Sequence, residues 1–160
     1  MRTNKHTLHP HRSSRSSPQP RYRLENWHRR SLYVLFAGLT VSGLIWLTAH
    51  FFLRTVGEFG ESIHPAEHWS MQVHGALIIP LVFLVGSMLF QHMRRAHLGR
   101  HNHYSGWTML LFLCWLQISG YGLYYFASEQ LRPVWSVLHW IPGLLLPGIL
   151  YVHIRLGRRL

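Results

Sequence analysis

Four apolar segments, Ser31–Leu53, Met71–Phe90, Trp107–Phe126 and Val134–Ile154, set the folding problem for this chain. Each is close to the ~20 residues that an α-helix needs to cross the ~30 Å hydrocarbon layer of a bilayer. Each is apolar around its circumference, not along one stripe, which suits lipid better than water. In lipid the backbone must satisfy its own N–H and C=O groups, and a helix does so within one segment. No two segments are similar enough to form a repeat. The expected fold class is all-α, an integral membrane four-helix bundle. Pro80, Pro142 and Pro147 interrupt the second and fourth segments, where they bend a helix for packing or widen a cavity.

The charges fix the expected orientation. Eight of the sixteen Lys and Arg residues precede the first segment. Arg94, Arg95 and Arg100 follow the second, and Arg155, Arg158 and Arg159 follow the start of the C-terminal end. Arg54 and Arg132 fall on the other side, together with Glu58, Glu61, Glu67 and Glu129. The positive-inside rule then places both termini in the cytoplasm. A net charge of +11 raises the question of nucleic acid. The basic residues flank apolar spans and form no nucleic-acid-binding motif, so no nucleic-acid partner is expected. Charged residues make up 13% of the chain, about half the share in a soluble domain.

Two domains follow. Residues 1–22 are basic, rich in Ser, Pro and His, and lack an apolar run, which reads as a disordered cytoplasmic tail; a mitochondrial presequence has a similar bias. Residues 23–160 form the transmembrane domain. The single cysteine, Cys114, lies in an apolar run and reads as a small packing residue. No CxxCH occurs, which excludes covalent c-type haem.

Histidines carry the functional signal. His139 and His153 lie fourteen residues apart in the fourth segment. On a helix that is about 21 Å of rise and roughly 40° from alignment, so both rings point to nearly the same side, one near each membrane face. His74 and His92 are eighteen apart, about five turns, and also share a face. Near the outer face lie His50, His74 and His139; near the inner face lie His28, His92 and His153. Histidine inside a span usually faces the protein interior. The competing role for each is an interfacial polar anchor, which weighs most for His28, His50 and His92 at segment ends. Two layers of inward imidazoles in a bundle suit two stacked metal centres, and imidazoles from separate helices complete the axial positions of a haem. No intramembrane carboxylate accompanies them, which counts against a non-haem metal site and a cation pathway. Gly143, one turn after His139, leaves room for a macrocycle or for close helix packing. The Ser42-Gly43 and Ser119-Gly120 pairs permit either. Arg29, Arg54 and Arg155 are placed for haem propionates or for lipid headgroups.

The stretch His139-Trp-Ile-Pro-Gly143 followed by His153 resembles the last core helix of the bacterial cytochrome b561-like family, which includes the cytochrome b subunits of formate dehydrogenase and nickel–iron hydrogenase. The Ser42-Gly43 and Ser119-Gly120 pairs resemble the [ST]-G pairs of its first and third helices, and His74 the ligand at the outer start of its second. The resemblance covers about Leu24 to Arg155. It implies that His74 and His139 hold an outer b haem and that His28 and His153 hold an inner one. His50 is the alternative outer ligand and His92 the alternative inner ligand; a single haem is the simpler variant.

The resemblance implies a di-haem b-type cytochrome of the bacterial inner membrane. It would pass electrons across the bilayer between the quinone pool and a periplasmic or membrane redox partner, as the electron-transfer subunit of a quinone-linked oxidoreductase. The loop at 55–68 is too short to be a redox domain, so a partner subunit or a small diffusible substrate must complete the path. The rival reading is a histidine-using transition-metal transporter or sensor in the membrane. A non-catalytic scaffold with interfacial histidines is the third.

Overall fold

The computed structural model describes residues 25–58, 60–89, 92 and 103–159. The N-terminal tail and Arg94, Arg95, His97, Arg100 and His101 lie outside the described residues. Four long helices dominate: α1, Asn26–Phe52; α2, Pro65–Met88; α3, His103–Tyr125; and α4, Arg132–Arg159. Their lengths are 27, 24, 23 and 28 residues. At ~1.5 Å per residue each reaches across the ~30 Å apolar layer. Among the described residues the architecture is all-helical apart from one short hairpin, and α1, α2 and α4 are long and apolar enough to cross a membrane. Helix α3 contains the segment expected as the third span and carries no Lys, Arg, Asp or Glu. Gln117, Tyr121 and Tyr124 interrupt its aliphatic run. Helix continues through Pro80, Pro142 and Pro147.

The connection from α1 to α2 holds structure that hydropathy did not reveal. Strands β1, Thr55–Gly57, and β2, Gly60–Ser62, pair antiparallel with Thr55 opposite Ser62. Gly60 has φ +103°, a conformation that few residues other than glycine adopt. The Thr55 and Ser62 hydroxyls share a 2.6 Å hydrogen bond across the pair. His64 then caps α2: its Nδ1 accepts from the Ala66 N–H at 3.2 Å. Pro65 follows at the first helical position, where its missing N–H removes no helix bond.

The helices pack as two hairpins, α1 on α2 and α3 on α4, with a smaller contact between α1 and α4. Leu32 of α1 with Leu81 and Leu84 of α2 makes a buried cluster, and Leu35, Phe36, Leu39, Val85 and Met88 pack around it. Most other large side chains point outward: Ile79 is 74% and Phe83 75% exposed. Apolar surface on this scale is stable in lipid, where outward side chains meet acyl chains. Helices α2 and α4 make little close backbone approach to each other. The space between the hairpins is thus where large side chains or a ligand must supply the contacts.

Candidate functional site

Two pairs of histidine rings face each other across that space. His74 of α2 and His139 of α4, both expected at the outer level, form one pair, with ring centroids 6.3 Å apart and planes at 71°. Each ring is held from within its own hairpin. Ser42 Oγ of α1 lies 2.9 Å from His74 Nδ1, and Ser119 Oγ of α3 lies 2.9 Å from His139 Nδ1. Ser42 also donates to the Leu39 carbonyl, and Ser119 to that of Leu116, as serines inside helices commonly do. The glycine after each serine lets the ring lie flat against the helix. A Cβ on Gly43 would meet His74 Cε1 at 3.8 Å, and one on Gly120 would meet His139 Cε1 at 3.2 Å.

The second pair, expected at the inner level, is His92 and His153, with centroids 6.4 Å apart and planes at 78°. His153 repeats the outer pattern. Ser105 Oγ of α3 lies 2.8 Å from its Nδ1, and a Cβ on Gly106 would meet its Cε1 at 3.9 Å. In ideal helix the eighteen residues from His74 to His92 rise about 27 Å, while the fourteen from His139 to His153 rise about 21 Å. Leu89 and His92 have π-helical geometry. A wider turn rises less per residue and shortens that difference.

His28, expected at the inner layer, is brought elsewhere. Its Nε2–H donates to the Leu84 carbonyl at 3.2 Å, which ties α1 to α2. Its ring leans on Trp27. His50, the alternative outer ligand, is also engaged. It stacks on Trp46 with centroids 4.6 Å apart, and its Nδ1 lies 3.1 Å from Glu67 Oε2.

Glu67 anchors a polar knot at this end of the fold. It is 6% exposed and receives a bidentate pair from Arg54, Nε to Oε1 and Nη2 to Oε2, both at 2.8 Å. Arg54 reaches Glu61 as well, at 3.1 Å. Hydrogen bonding to Glu67, against some burial, keeps the Arg54 guanidinium well above its ordinary pKa. A propionate or headgroup role for Arg54 would compete with these bonds. A Cβ on Gly143 would meet Leu116 Cδ2 of α3 at 3.8 Å, an ordinary contact.

The donor set narrows what the pairs can bind. Among the described residues no group of three or more His, Cys, Asp or Glu side chains surrounds a common point. Tetrahedral zinc needs four ligands, so a pair of imidazoles falls short. A haem brings four equatorial nitrogens of its own and asks the protein for two axial ones. With about 2 Å from metal to nitrogen and about 1 Å more to the ring centre, axial imidazoles on one metal have centroids roughly 6 Å apart. The observed 6.3 and 6.4 Å fit that spacing.

Sequence reasoning missed three residues here. Ser105-Gly106 is a third Ser-Gly pair, fourteen residues before Ser119-Gly120, the same interval that separates His139 from His153. That match was a usable signal. The burial of Glu67 by Arg54 left no local one, because thirteen residues separate the two. No family model, curated protein or solved structure matches the chain.

Proposed function

We propose that the chain is a membrane di-haem b-type cytochrome that carries electrons across the bilayer between the quinone pool and a redox partner. The observation that supports it most is the pairing of rings at two levels, His74 with His139 and His92 with His153, 6.3 and 6.4 Å between centroids, with Nδ1 of three rings bound to serine. For His74 and His139, serine at Nδ1 leaves Nε2 as the nitrogen for a metal. His74 and His139 would hold the outer b haem; His92 and His153 would hold the inner one. His92 thereby takes the inner place that the family resemblance assigns to His28. When bound, a bis-histidine haem supplies reversible one-electron chemistry with no open axial site. The chain's own work is to hold two imidazoles at each level, to keep water out with aliphatic helices, and to fix ring orientation from the neighbouring helix.

By the positive-inside rule the basic flanks would put both termini in the cytoplasm and the β1–β2 hairpin outside, in the bacterial inner membrane that the family resemblance implies. The resemblance to the cytochrome b561-like family supports the same assignment. The metal transporter or sensor gains no support among the described residues, where no cluster of three donors forms. A pyridine haemochrome assay on the purified full chain tests the proposal. It should find two b haems per chain, falling to one in His139→Ala and one in His153→Ala. Protein that takes up no haem, even when supplied with it in folded form, would refute the assignment.

A further inference from the structure

Ser42 and Ser119 occupy equivalent positions in the two hairpins, and their bonding leaves little freedom. A serine hydroxyl has one hydrogen and two lone pairs. In each case the hydrogen points to a backbone carbonyl three residues earlier, at 3.0 Å for Ser42 to Leu39 and 3.3 Å for Ser119 to Leu116. Toward the neighbouring imidazole, therefore, only a lone pair remains. His74 and His139 must present Nδ1–H to it, across 2.9 Å in both cases. Both rings are thereby locked as the Nδ1–H tautomer with the Nε2 lone pair directed away from the serine.

Such a bond does more than orient. An acceptor on Nδ1–H pulls the proton outward and gives the ring more anionic character, which strengthens Nε2 as a donor. A stronger donor favours a metal in its higher oxidation state. We propose that Ser42 and Ser119 are positioning residues that hold the potential of the outer pair's metal low, with the Ser-Gly dipeptide as the unit: serine sets the tautomer and donor strength, and glycine seats the ring. Ser105 and Gly106 place the same unit against His153 at the inner level. This inference rests on the haem assignment above and concerns how that site is tuned.

Spectroelectrochemical titration of the haem-loaded full chain provides the test, with haem content measured beside it. Ser42→Ala and Ser119→Ala each remove one acceptor while leaving both imidazoles. At fixed ambient potential each should raise the ratio of reduced to oxidised outer haem by up to about fivefold, the full contribution of one ordinary hydrogen bond being the ceiling. Ser42→Thr and Ser119→Thr keep the hydroxyl and should return the ratio toward the parent value. Ser70→Ala serves as the control: Ser70 is a buried helix serine that donates to the Glu67 carbonyl, and its loss should leave the ratio unchanged. Full haem content with an unmoved ratio in both alanine variants overturns the inference, as does an equal shift in Ser70→Ala. If one alanine variant fails to fold, the other and the two threonine variants still decide. A parent protein that binds no haem sinks the functional assignment itself, an outcome separate from haem-loaded variants whose ratio does not move.

Discussion

Alanine at the three ring-facing glycines should separate the seats by their clearance. Replacing a mid-helix glycine with alanine gains about 1 kcal/mol from reduced backbone freedom, provided that the new methyl has room. At Gly43 the added Cβ stands 3.8 Å from His74 Cε1, and at Gly106 it stands 3.9 Å from His153 Cε1; both are ordinary contacts. At Gly120 it stands 3.2 Å from His139 Cε1 and 3.6 Å from its Nδ1. His139 cannot retreat freely, because Ser119 holds Nδ1 at 2.9 Å and the next residue supplies the clash. Overpacking of this kind costs about 1–3 kcal/mol, enough to cancel or reverse the helix gain. For a chain of this size about 1 kcal/mol corresponds to roughly 2–4 °C in melting temperature. Gly43→Ala and Gly106→Ala should therefore melt at or slightly above the parent, and Gly120→Ala several degrees below Gly43→Ala. Thermal unfolding of the detergent-solubilised protein, followed by far-ultraviolet circular dichroism, gives the ordering. Equal melting temperatures for Gly43→Ala and Gly120→Ala would refute the reasoning, since helix propensity alone treats the two sites alike.

Other outcomes follow from the remaining geometry. His92→Ala should lose one haem and keep the other, while His28→Ala should keep both and lose only about 1 kcal/mol of stability with its bond to the Leu84 carbonyl. Haem stoichiometry showing the reverse would put His28 opposite His153. Arg54→Ala leaves Glu67 buried without its bidentate partner and should destabilise the fold by about 3 kcal/mol. Glu61→Ala, at the exposed end of the same network, should change stability by less than about 1 kcal/mol, and chemical unfolding of the two variants side by side checks the contrast.

Part of this protein is written locally in the chain. Segment length and apolar character dictate long helices, because a run of that composition satisfies its backbone and its solvent in no other way within lipid. The alignment of His139 with His153 is equally local, since a helix converts sequence interval into direction. Pairing across helices is not local. His28 and His92 lie at similar depth by sequence, and choosing between them depends on how each hairpin turns its faces and on the wide turn at Leu89 and His92. His50 looks like a free ring near the outer layer until α2 brings Glu67 against it. The serine clamp shows the same division. A Ser-Gly pair is visible at 42–43, 105–106 and 119–120, but the imidazole that it grips lies 32, 48 and 20 residues away respectively. Helix period determines which way a side chain points; only packed hairpins decide what it meets, because contact between helices depends on rotation and tilt that no single segment encodes.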